Sequence, residues 1–254
     1  MGWSDTPAGA YSTEEMAQDV VEVLNHLGWT SERMLSVVGV SMGGMIALQL
    51  ARLVPERLLA LVLTSTQAGD RATAPTMGSL SLFSKLLYSN ALFGPEATMK
   101  AVAESLYPKS YLEEKDPRTG QKRQVGLEKV RGALTRLSIA SSRLKRQDFL
   151  WRAQQTNPQT TKGKLGQLAA VSRHRVTAEQ LAEIESSVPK IGIVTGDQDK
   201  LINPKRSQEL SEMMPKAEFW LVKNAGHALP SQIATEYNEW IEKLVREAIE
   251  LSSE

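Results

Sequence analysis

The chain has 254 residues, a net charge of +1, 41% hydrophobic residues and no cysteine. That length supports one large hydrophobic core, and the missing cysteines exclude disulfides, thiolate metal sites and cysteine catalysis together. No run of 18 apolar residues is present to span a membrane, and the opening MGWSDTPAGAYSTEE lacks the basic and apolar regions of a signal peptide, so a cytoplasmic protein is expected.

The near-neutral total hides an asymmetry. Residues 100–175 carry 17 Lys and Arg against 6 Asp and Glu, and the remainder carries 13 against 23. The basic charges are not interleaved with aromatic residues in a nucleic-acid pattern, so no nucleic-acid partner is expected. A solvated helical surface is the plain reading. Peripheral contact of Arg136, Arg143, Lys145 and Arg146 with anionic lipid is the functional one.

In chain order, Ser12 followed by Glu15 predicts a capping box. It opens a helix over TEEMAQDVVEVLNHLG, with Met16, Val20, Val21, Val23, Leu24 and Leu27 at helical spacing and Gly28 as the stop. MLSVVGV, 34–40, is short, apolar and β-branched, which predicts a buried strand. MGGMIALQLARLVP, 42–55, returns to helix and stops before Pro55, and RLLALVLTST, 57–66, reads as a second buried strand. This strand–helix–strand order favours a parallel sheet. Residues 67–185 show no convincing strand. SLSLFSKLLYS, PEATMKAVAESLY, VGLEKVRGALTRLSIASSRLKRQDFL and KGKLGQLAAVSRH read as helices. Alternation resumes with the strand KIGIVTG, 190–196. A helix capped by Asn203 with Pro204 at its first position follows. AEFWLV, 217–222, is the last strand. The last helix begins near Ser231, and Ile233, Tyr237, Trp240, Ile241, Leu244, Val245 and Ile249 mark its buried face.

The fold class expected is therefore α/β, a parallel sheet with a large helical insertion. Residues 1–66 and 186–254 form the core, and 67–185 form a helical cap.

Gly39-Val40-Ser41-Met42-Gly43 fits G-x-S-x-G, and it lies where a predicted buried strand turns into a helix. That setting identifies a nucleophile elbow. Gly39 and Gly43 are expected to leave room for backbone, and the Met42 N–H, at a helix start, points towards a developing oxyanion. A serine hydroxyl needs a base. His26 ends the first helix and reads as a terminal charge partner. His174, in SRHR, reads as a surface or capping residue. His227, in KNAGHALP, follows the last strand, and loops beyond the carboxyl ends of parallel strands converge on one face. His227 is therefore the base candidate. The orienting acid comes from the loop after KIGIVTG, where Asp197 and Asp199 both qualify. The order Ser, Asp, His suits this fold.

GVSMGG, GDQDKLI and NAGHAL, separated by a helical insertion, resemble the α/β-hydrolase superfamily, more narrowly its serine hydrolases with a helical cap. The resemblance implies that Asp199 is the triad acid, with Asp197 the lesser option. It implies cleavage of a carboxylic ester or related acyl bond in a small-molecule substrate through an acyl-enzyme, with no metal or organic cofactor. Family members carry further strands before the nucleophile strand, one of them followed by a second oxyanion donor. Nothing before residue 34 resembles these. The expectation is an unpaired apolar edge at LSVVGV, and a chain that is poorly soluble or weakly active alone. A non-catalytic ligand-binding protein, or an inactive fragment, is the alternative. Leu82, Phe83, Leu86, Leu87, Tyr88, Leu92 and Phe93 line an acyl pocket or form the core of the cap.

Overall fold

The computed structural model describes residues 4–5, 11–69, 103–115 and 160–253. Helix α1, Thr13–His26, starts on the expected capping box: the Ser12 hydroxyl accepts from the Glu15 N–H, and the Glu15 carboxylate accepts from the Ser12 N–H. Such caps contribute about 1 kcal/mol. Strand β1, Leu35–Val40, leads into α2, Met42–Leu53. The helix stops before Pro55, as expected, ending at Leu53, and Pro55 opens a single 3-10 turn. Strand β2, Leu58–Thr64, follows.

Within the insertion lie a helical turn at residues 103–106, α3 at Lys109–Glu113 and α4 at Thr161–Arg173. Helix α5, Ala178–Ser187, has its own capping box at Thr177 and Gln180. It spans position 185, where the sequence puts the return to the core. Its Leu181 and Ile184, with Val176, pack in the main hydrophobic cluster. Strand β3 runs Lys190–Gly196, as predicted. Helix α6, Pro204–Glu212, is capped by the Asn203 side chain, which accepts from the Lys205 N–H. Strand β4 is Glu218–Val222. The single final helix expected from Ser231 is instead two: α7, Leu229–Gln232, and α8, Ala234–Leu251, broken at Ile233. Ile249, expected inside, is exposed.

The four described strands form a parallel sheet in the order β1-β2-β3-β4. Strands β2 and β3 are buried on both faces, as their near-continuous apolar runs require. Leu61, Leu63, Ile191 and Ile193 point to one face, where Leu48 of α2, Leu181 of α5 and Leu210 of α6 complete the main cluster. Val194 points to the other, against Tyr237 and Trp240 of α8. Among the described residues β1 pairs only with β2, so its outer edge is open there. Val38 on that edge, Met34 before it, Val23 of α1 and Leu27, which caps α1, are all exposed. Among the described residues no helix is long and apolar enough to cross a membrane.

Register aligns the strand ends. Val40 lies opposite Thr64, Thr64 opposite Val194, and Gly196 opposite Val222. The loops that follow all four strands therefore open on one rim.

Candidate active site

Ser41 occupies the turn from β1 into α2, with φ 57° and ψ −121°. This is backbone that a non-glycine residue adopts only under constraint. The constraint is visible on both sides. The Ser41 N–H donates to the Thr64 carbonyl (2.8 Å), and its carbonyl accepts from the N–H groups of Gly44 (2.9 Å) and Met45 (3.3 Å) and from the Thr66 hydroxyl (2.8 Å). Met42 opens α2, where N–H groups of the first turn have no partner within the helix.

Of the two glycines expected to leave room for backbone, Gly39 does so and Gly43 does not. A Cβ at Gly39 would lie 2.5 Å from the Gly43 carbonyl oxygen, so that position is closed to a side chain. At Gly43 a Cβ meets nothing within 4 Å among the described residues. The second crowded position is Gly44, whose Cβ would lie 2.7 Å from Cβ and Cγ2 of Thr66.

His227 and Asp199 meet. Nδ1 of the imidazole is 2.7 Å from Oδ2 of the carboxylate, and both side chains are buried. The carboxylate's other oxygen, Oδ1, accepts from the N–H groups of Leu201 (2.8 Å) and Ile202 (3.0 Å), which fixes its plane. A carboxylate only accepts, so the ring presents a proton on Nδ1 to it. The acid loop and the base loop are laced together: Asp197 N–H donates to the Val222 carbonyl and Gln198 N–H to that of Ala225, each at 2.9 Å. Asp197, the other candidate acid, does not reach the ring. Its Oδ1 is buried and has no hydrogen-bond partner among the described residues, and its Oδ2 lies 3.9 Å from Lys223 Nζ.

The described part of the insertion covers this corner. The Ala228 N–H donates to the Leu106 carbonyl (3.2 Å), Tyr107 and Ser231 share a hydroxyl hydrogen bond (2.7 Å), and Lys200 Nζ donates to the Glu104 carbonyl (3.1 Å). Ser41 stands on the same rim as His227. Among the described residues no hydrogen bond joins its hydroxyl to the imidazole, but the Ser65 hydroxyl, at the end of β2, donates to the His227 carbonyl (3.3 Å). Ser65 and Thr66 were not singled out in the sequence; a run of three hydroxyl residues closing an apolar strand was the available signal.

The remaining histidines lie elsewhere. His26 ends α1 and is exposed. His174 caps α4 but is buried, not on the surface: Nδ1 is 2.8 Å from the Thr13 hydroxyl, and burial lowers its pKa to about 4. Arg136, Arg143, Lys145 and Arg146, and the apolar residues between Leu82 and Phe93, lie outside the described residues.

Comparison with known proteins agrees with this architecture. The family model of the alpha/beta hydrolase fold matches residues 1–231. The protein named "Putative carbamate hydrolase RutD" from Stutzerimonas stutzeri (strain A1501) is 26% identical over 240 residues, which cover 93% of this chain and 74% of that one. Among solved structures, a thermophilic esterase from Thermogutta terrifontis superposes with a TM-score of 0.64 at 20% identity, covering 98% of this chain and 77% of the other. The enol-lactonase from Burkholderia xenovorans LB400 does so with a TM-score of 0.65 at 18% identity, covering 96% and 77%. At such identities the structural likeness is one of fold. With its matched sequence, parallel sheet and strand-to-helix serine turn, the chain belongs to the α/β hydrolase fold family.

Proposed function

We propose that the protein is a serine hydrolase that cleaves a carboxylic ester or a related acyl bond, carbamates included, in a small molecule. The observation that carries the reading is the buried 2.7 Å contact between His227 Nδ1 and Asp199 Oδ2, on the rim where a strained Ser41 opens α2. Relatives named for carbamate hydrolysis and esterase activity support the same bond class.

In this mechanism the Ser41 Oγ attacks the substrate carbonyl carbon and His227 Nε2 takes its proton. Asp199 holds the imidazole in the tautomer that leaves Nε2 free, and stabilises the imidazolium that forms. The Met42 N–H donates to the developing oxyanion; one such donor is worth roughly 10²–10³ in turnover. The imidazolium then protonates the leaving oxygen or nitrogen. A water molecule, deprotonated by His227, releases the acyl group and restores Ser41. No step calls for a metal or an organic cofactor. The helical insertion, residues 67–185 in this reading, selects the substrate, and its basic stretch is the element that would touch anionic lipid.

A non-catalytic ligand-binding protein on the same scaffold is the second reading. It is favoured by the missing hydrogen bond between Ser41 and His227 among the described residues. Active sites without substrate often hold such contacts long, so that observation weighs less. A fluorophosphonate probe separates the two. The first expects covalent labelling lost in Ser41→Ala, together with turnover of p-nitrophenyl acetate. A folded protein that stays unlabelled overturns it.

A further inference from the structure

The end of β2 poses a problem that packing alone does not solve. LLALVL runs into Thr64-Ser65-Thr66, and all three residues are fully buried. A regular strand would send Thr64 and Thr66 to one face. Here Ser65 has φ 48°, which turns the chain. The Thr64 hydroxyl meets the Tyr237 hydroxyl of α8 (2.7 Å), while the Thr66 side chain lies against Gly44 of α2, across the sheet.

Two of the three hydroxyls reach the main chain of the two residues that the mechanism must pair. Thr66 Oγ1 donates to the carbonyl of Ser41 (2.8 Å), and Ser65 Oγ donates to the carbonyl of His227 (3.3 Å). The tripeptide is itself anchored. The Ser65 N–H donates to the Val194 carbonyl and Ser207 Oγ to the Thr66 carbonyl, both at 2.8 Å. The elbow is shaped around it: Thr66 fits because residue 44 has no Cβ.

We infer that Ser65 and Thr66 are positioning residues, which together set the separation between the Ser41 hydroxyl and the His227 ring. This rests on the serine hydrolase reading. Thr66 draws the Ser41 carbonyl, at the N-cap of α2, towards β2 and so holds Ser41 in its strained conformation. Ser65 holds the base loop to the same strand end. A purely structural role would satisfy the hydroxyls and nothing more. Ser41's carbonyl keeps two backbone donors without Thr66, so removing that hydroxyl leaves no orphaned acceptor and costs little stability.

The test compares Thr66→Val, Thr66→Ser and Ser65→Ala with the unaltered chain, each checked for its thermal midpoint. The readouts are the fluorophosphonate labelling rate, kcat and KM for p-nitrophenyl acetate, and the pH profile of kcat/KM. Thr66→Val should lower kcat and the labelling rate tenfold or more with KM within twofold, and Thr66→Ser should restore both to within threefold. Ser65→Ala should slow labelling about fivefold and displace the acidic limb of the profile. Rates within twofold of the original for both Thr66→Val and Ser65→Ala overturn the inference, as does a loss that Thr66→Ser fails to rescue. If the unaltered, folded chain is not labelled at Ser41, the hydrolase reading falls first and the positioning role falls with it.

Discussion

Acidification should weaken the protein through His174. The residue is 3% exposed, its Nδ1 is 2.8 Å from Thr13 Oγ1, and its main-chain carbonyl lies against Gly69. Burial drives its pKa from 6.5 down to about 4, with the Gln67 backbone opposing the fall and the Arg52 guanidinium adding to it. In the unfolded chain the ring takes a proton near 6.5. Between the two values the unfolded state binds more protons than the folded one, so stability falls as the pH falls. Its contribution is complete above about pH 6.5 and gone below about pH 4. With one pKa unit worth about 1.36 kcal/mol, the loss from pH 7 to pH 5 is about 2 kcal/mol, and about 3 kcal/mol by pH 4. Urea unfolding of the protein and of His174→Gln at pH 7, 6 and 5 measures it. The amide does not titrate, and every other ionisable group is common to both proteins. The stability difference between them should therefore shrink by about 2 kcal/mol over that interval. Two stabilities that decline in parallel would refute the reasoning.

The two glycines after Met42 should respond in opposite ways. Gly44→Ala, with its Cβ 2.7 Å from Thr66, should cost about 1–3 kcal/mol in urea unfolding; Gly43→Ala, whose Cβ meets nothing within 4 Å among the described residues, should be neutral or stabilising by up to about 1 kcal/mol. Asp199→Asn keeps a group of the same shape but favours the wrong imidazole tautomer, so kcat for p-nitrophenyl acetate should fall by about 10⁴ with the thermal midpoint little changed. Val38→Lys puts a charge on β1, which is an edge strand among the described residues and where Val38 is 44% exposed. It should reduce self-association in light scattering while altering stability by under about 0.5 kcal/mol.

Much of the sheet was legible because its signals are local. β3 matches its predicted bounds because a doubly buried parallel strand reads as one apolar run, here closed by a glycine. The Ser12 box and the Asn203-Pro204 start are likewise written in adjacent residues. What the sequence withheld depends on distant chain. The break at Ile233 carries no proline or glycine; it comes just after the point where Ala228 is tied to Leu106. His174 sits in a basic stretch that reads as surface, and is buried because Thr13, 161 positions earlier, reaches it. Helix α5 had a readable capping box. It lies inside a segment whose strongest sequence signal is its lack of strands. Asp197 and Asp199 are equivalent as letters. They separate only when the turn after β3 sends one to Lys223 and the other to the imidazole.

The elbow shows why a motif and its physical basis can point to different atoms. G-x-S-x-G draws attention to positions two residues either side of the serine. Steric need is set instead by what each residue faces. Gly39 is the last small step of β1 under the first turn of α2, and the Gly43 carbonyl comes down on it. On the helix side, residues three or four apart share a face. Position 44, not 43, turns back towards the neighbouring strand, and there it meets Thr66. The requirement for glycine at 44 is thus a property of the pair and not of the turn. A chain with glycine at 66 would admit alanine at 44, and would give up the hydroxyl that holds the carbonyl of Ser41.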